Sequence, residues 1–206
     1  MLLRGGICRQ SLAEKDVKAG QVWEVPVLSA CGSRLLCSQP PCHPLYALTS
    51  DYFFHVVYAN KKRTKVRPSL IRKSKYQTYA GSLVPPNTDE IMLDRTTSAS
   101  LAVRMFGMTL PYKRLSCNCK HYIDYVRYGK TFGSLSNFAY LPASSSCPVF
   151  NIITDQDQVN SPDFKLLDRH GIAYSPKRAP VEATVEEFIT THLKKAVFPK
   201  NESVKI

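Results

Sequence analysis

The side chains with the most specific chemistry in this 206-residue chain are its seven cysteines and five histidines. Cys31, Cys37, Cys42 and His43 fall within thirteen residues, and Cys117, Cys119 and His121 form a second group. A structural zinc site uses ligands two to four positions apart, so that two thiolates on a tight turn face one ion. The first group has five and four residues between its cysteines, and the second has one. Neither spacing suits zinc, so the cysteines are expected to be unligated, with no metal and no other cofactor. A thiol nucleophile needs an imidazole base and a third group to orient it. Cys42 and His43 are sequence neighbours, which does not set them face to face, and a small hydrolase using this pair is only a third reading. Asp155 and Asp157 suit a solvated polar loop. Gly5 and Gly6 follow no strand, and Gly129 and Gly133 are isolated, so no loop cradles a phosphate. Nothing in the sequence requires catalysis, and the expectation is a non-enzymatic protein without a small-molecule substrate.

The second candidate chemistry is electrostatic. Lys61, Lys62, Arg63, Lys65, Arg67, Arg72, Lys73 and Lys75 follow one another without an acid, after Tyr52, Phe53, Phe54 and Tyr58 and among Tyr76 and Tyr79. Cations neutralise phosphates, and aromatic or guanidinium planes stack on unpaired bases, a combination that suits RNA. Lysines also protect an edge strand from unwanted pairing, but eight uncompensated cations exceed that need. Arg34 and His43 complete the candidate RNA-binding set.

The charge of the whole chain agrees. The net charge is +12, with 20 Lys and Arg against 8 Asp and Glu up to Phe150 and 8 against 8 beyond it. A localised basic excess attracts polyanions, among which nucleic acid is the commonest; a membrane surface or an acidic protein is the alternative. No run approaches the ~18 apolar residues of a membrane span. An odd cysteine count with irregular spacing argues against a disulfide framework, so reduced thiols are expected. The first residues, with Arg4, Arg9 and no acid before Glu14, fit either a short mitochondrial targeting segment or an ordinary basic N-terminus.

These residues need elements to position them. Period-two alternation predicts a strand over Val22 to Leu28, with Pro26 marking an edge or a bulge. Ser29 to Pro44 reads as a loop. Leu45 to Leu48 and Tyr52 to Tyr58 read as strands about a turn at Thr49–Ser50–Asp51. Asn60 to Arg67 turns back as a further strand, lining Arg63, Lys65 and Arg67 along one side. Pro85–Pro86 marks a boundary. Ala99 to Met108 is buried, Leu141 to Pro148 is a loop, and Val149 to Thr154 is a short buried strand. Thr184 and Glu187 have capping-box spacing, and Val185, Phe188, Ile189, His192, Leu193 and Ala196 share one face of an amphipathic helix at about 185–197.

The segment from Val17 to Arg67 resembles the bacterial-type large-subunit ribosomal protein twenty-seven family, in a divergent mitochondrial form. Val17–Lys18–Ala19–Gly20 matches the family's step into an apolar strand, and His43–Pro44–Leu45–Tyr46–Ala47 its histidine strand. Ser50–Asp51 matches its acidic turn, Phe53 to Tyr58 its next strand, and Asn60 to Val66 its basic close. The resemblance covers about a quarter of the chain. It implies a structural constituent of the mitochondrial large ribosomal subunit, in the matrix, whose partners are large-subunit ribosomal RNA and neighbouring mitochondrial ribosomal proteins. The expected fold is α+β: an arm over residues 1–16, a small all-β barrel or sandwich core over 17–68, and a mixed extension over 69–206. An accessory subunit of an inner-membrane respiratory complex is the alternative function.

Overall fold

Runs of β-branched and aromatic residues pair into one sheet that is covered on both faces, seen in a computed structural model that describes residues 11–26, 42–77, 79–132, 141–149, 152–176, 185 and 187–190. Its strands are β1 (Val22–Pro26), β2 (Cys42–Ala47), β3 (Tyr52–Tyr58), β4 (Lys65–Arg72), β5 (Ser82–Val84) and β6 (Leu110–Pro111). Their order is β5-β1-β2-β3-β4-β6, and every neighbouring pair is antiparallel. A second, two-stranded sheet joins β7 (Leu166–Leu167) to β8 (Ala173–Tyr174).

The barrel or sandwich expected over 17–68 is not formed. The class is α+β, but the large sheet is open, with β5 and β6 at its two edges. Both edge strands come from beyond residue 68, so β1 to β4 meet further chain where a barrel would need them to meet one another. Two prolines fit the incomplete pairing. β5 covers β1 only from Val22 to Glu24, leaving Pro26 bonded on one side; β6 covers β4 only at Lys65 and Val66, short of Pro68. A proline lacks the N–H a central ladder needs, so both occupy positions where one neighbour has ended.

Each face of the sheet has its own core. On one, Val22, Tyr46, Phe54, Val56 and Val66 pack with residues of α1 (Arg95–Met105) and α2 (Cys119–Tyr128). On the other, Trp23, Val25, Leu45, Ala47 and Phe53 pack with Leu12, Val17 and Tyr76, which lie in or beside short 3-10 turns at Leu12–Glu14 and Lys73–Tyr76. Asp94 caps α1 by accepting from the Thr96 and Thr97 amides. A third helix, α3 (Gln156–Asn160), packs against α1.

The boundary expected at Pro85–Pro86 falls just after β5, and the loop expected up to Pro44 ends earlier, because β2 begins at Cys42. Val149 to Thr154 shows no strand among its described residues. Of the expected terminal helix, Val185 and residues 187–190 are helical; Phe188 and Ile189 are buried, and the Phe188 ring stacks on Phe106 at 4.8 Å. His192, Leu193 and Ala196 lie outside the described residues, as do Arg34, Cys31 and Cys37. One expectation about the cysteines is overturned: Cys117 and Cys147 form a disulfide, although 30 residues apart in sequence.

Candidate functional site

The hairpin of β2 and β3 is paired only near its turn. Tyr46 faces Phe54 and Ala47 faces Phe53, and beyond those two pairs the strands part, β2 continuing against β1 and β3 against β4. His43 and His55 stand on the two sides of this gap. His43 Nε2 lies 3.1 Å from His55 Nδ1, and the rings meet edge to face with centroids 5.4 Å apart. Both residues are buried, at 6% and 3% exposure, so the contact is shielded from competing water. If the shared hydrogen sits on His43 Nε2, the lone pair of His43 Nδ1 is left to act as a base.

Helix α2 packs against both strands that flank the gap, and its first residue is Cys119. The sequence dictates this start. The Asn118 side chain accepts from the Lys120 and His121 amides, and the His121 ring returns to the Asn118 backbone N–H, a reciprocal cap. Tyr122, Ile123, Tyr125 and Val126 then turn one buried stripe toward the sheet. Gly129 ends the helix in the left-handed region at φ 68°, where a Cβ would stand 2.1 Å from the Ile153 carbonyl oxygen. Cys119 therefore stands at the positive end of a helix dipole, where a thiolate is favoured. Its thiol is free and packs against the core on the α2 face of the sheet, with Tyr46 and Phe54, whereas His43 and His55 follow Leu45, Ala47 and Phe53 on the opposite face.

Burial sets the resting protonation. It lowers His43 to about 4 and His55 well below the usual imidazole value, His55 being disfavoured further by a charge on His43. Burial pushes the Cys119 thiol up to about 12; the Glu24 carboxylate adds to this, while the backbone N–H groups of Lys120 and Cys119 oppose it. Glu24 and Pro44 are paired on the α2 face, so the carboxylate sits on the thiol's side of the sheet and the histidines on the other. At neutral pH the thiol and both imidazoles rest neutral, and they do not form a nucleophile–base pair.

Sequence reasoning placed His43 with RNA and paired it with Cys42. Successive strand residues point to opposite faces: Cys42 is exposed and His43 buried. Without charge near pH 7, His43 has little to offer a phosphate. His55 was not singled out, and Cys119 was weighed only as a metal ligand with Cys117 and His121. The signal for the histidine pair was their twelve-residue spacing about the turn at Ser50–Asp51, which makes them diagonal neighbours across a hairpin. Metal binding gains no support, since no group of three His, Cys, Asp or Glu converges among the described residues.

The cations gather elsewhere, on the turn between β3 and β4 and along β4. Lys61, Lys62, Arg63, Lys65, Arg67, Arg72 and Lys75 are exposed and Lys73 is half-buried. Asn60 closes the turn by accepting from the Thr64 and Lys65 amides. Arg63 lies over the Tyr58 ring, and Arg72 donates to the Tyr52 hydroxyl at 2.9 Å. Of Tyr52, Phe53, Phe54, Tyr58 and Tyr76, only Tyr58 is exposed, so most of the aromatic run builds the core instead of offering rings for base stacking. No protein-family model matches the sequence, and no curated protein matches it.

Proposed function

We propose that this protein is a structural constituent of the mitochondrial large ribosomal subunit that binds its RNA through the cations of the β3–β4 hairpin. The observation that supports the reading is the run of Lys61, Lys62, Arg63, Lys65, Arg67, Arg72 and Lys75, exposed on the turn and along β4. Such cations neutralise phosphates. Tyr58, exposed beside Arg63, offers one ring for stacking on an unpaired base.

Sedimentation from lysed mitochondria tests this reading, with co-migration with large-subunit RNA that ribonuclease abolishes as the expected result. Migration with a membrane complex regardless of ribonuclease favours the respiratory accessory role instead. Among the described residues no helix is long and apolar enough to cross a membrane.

A further inference from the structure

The basic surface does not end with the hairpin. β6 pairs with the start of β4, Leu110 facing Val66 and Pro111 facing Lys65, and the Tyr112 amide then donates to the Thr64 carbonyl at 2.8 Å. Continuing that register sets Lys113 across from Arg63, and two residues beyond Pro111 it falls on the face of Lys65 and Arg67. Lys113 and Arg114 are both exposed. The turn that carries them is fastened at several points. Cys117 exchanges both backbone hydrogen bonds with Lys113 at 2.9 Å each, the Asn118 side chain donates to the Arg114 carbonyl at 2.8 Å, and the Ser144 amide donates to the Ser116 carbonyl at 2.8 Å. The hairpin turn is fixed as well: Asn60 accepts from the Thr64 and Lys65 amides, and Arg63 takes the left-handed region at φ 54°. Non-glycine residues held in that region cluster at functional sites. The two turns meet through their rings. Tyr112 lies edge to face with Tyr58 at 5.1 Å, and the Arg63 guanidinium covers Tyr58. Burial pushes the Tyr112 hydroxyl up, and the Arg114 charge is close enough to oppose the shift.

We infer that the turn after β6, through Lys113 and Arg114, joins the hairpin cations in one surface that holds the sugar-phosphate backbone of a base-paired RNA. The inference rests on the RNA-binding reading. Like charges held across neighbouring strands repel one another, and no Asp or Glu occurs from Tyr52 to Thr88 or from Arg95 to Ile123. A row of phosphates supplies the missing counter-charge, and turns fixed beforehand lose less freedom when it binds. The paired form of the RNA follows from the rings. A single strand is tracked by aromatic side chains on which successive bases stack, whereas of Tyr52, Phe53, Phe54, Tyr58 and Tyr76 only Tyr58 is exposed. A duplex is held by its shape and its backbone, which is what a surface of cations with a single ring offers.

The experiment measures binding to the full chain by fluorescence anisotropy from about 50 to about 200 mM salt. Its probes are an RNA duplex of about 16 base pairs, a single strand of the same length and vesicles of anionic phospholipid. The duplex should bind more tightly than the single strand. Lys113→Glu/Arg114→Glu should lower the salt slope of duplex binding by about two, and Lys113→Arg/Arg114→Lys, which keeps the charge, should retain the slope. A wild-type slope in the glutamate variant, while Lys61→Glu, Lys62→Glu, Arg63→Glu and Lys65→Glu together weaken binding, overturns the inference and leaves the RNA-binding reading standing. Tighter binding of the single strand overturns it too. Binding to the vesicles and to neither RNA defeats the inference and the RNA-binding reading together.

Discussion

His43, His55 and His121 are buried imidazoles, and burial makes them reporters of acid stability. His43 and His121 are lowered to about 4 and His55 falls in the same direction, in each case first because burial disfavours the charged ring. The unfolded chain therefore binds more protons than the folded one between the ordinary imidazole value, about 6.5, and about 4. Stability is fully present above pH ~6.5 and is lost as pH falls through that window, by on the order of 3 kcal/mol each for His43 and His121 at its lower end. Urea midpoints measured from pH 7 to pH 4 should fall steeply, and His43→Gln should flatten the slope. A midpoint constant over that range would mean that the rings are charged or solvated in the folded protein. Each of these residues was visible in the sequence as a histidine in or near an apolar run. Their partners were not, because His43 meets His55 through a parting of strands that no period-two pattern announces.

At the scale of elements, local sequence pattern was enough for β1, β3 and β4: alternation for β1 and β4, and a run of aromatic and β-branched residues for β3, most of which is buried on both faces. It was not enough for closure. β5 and β6 are three and two residues long, too short to carry a pattern, and they decide that the sheet stays open. Helix α2 illustrates the same division. Tyr122 to Tyr128 read only as aromatic and basic, but Asn118 and Gly129 bracket a helix of ten residues, and the bracket is what puts Cys119 at its first position. The disulfide was illegible because Cys117 and Cys147 come together through the backbone bonds of Leu115 and Ser116 to Leu141 and Ser144, a tertiary fact. The end of α2 gives a sharp prediction. Gly129→Ala forces a side chain into the left-handed region and against the Ile153 carbonyl oxygen, which should destabilise by about 2–4 kcal/mol and lower Tm by roughly 10 °C. Asn tolerates that backbone region better than Ala, so Gly129→Asn separates the causes. If the contact with Ile153 dominates, both variants melt early in calorimetry; if only the backbone matters, Gly129→Asn recovers most of the loss.

At the scale of the whole molecule, the buried histidines and the cations occupy different parts of one sheet. The histidines sit in the gap between β2 and β3, while the exposed cations follow the β3–β4 turn and β4, and the resemblance to a ribosomal protein rested on the strand order that carries both. Among the described residues, none of the exposed cations of the hairpin pairs with a carboxylate. A polyanion bound there would release counterions, and its affinity would fall with salt in proportion to the phosphates neutralised. Replacing Lys61, Lys62, Arg63 and Lys65 by glutamate takes the net charge from +12 to +4. If the hairpin is the RNA contact, this variant should leave the ribonuclease-sensitive particle and sediment as free protein, and the salt slope of RNA binding in solution should drop by about three to four. A variant that stays in the particle, with an unchanged salt slope, would show that the hairpin is not the RNA contact.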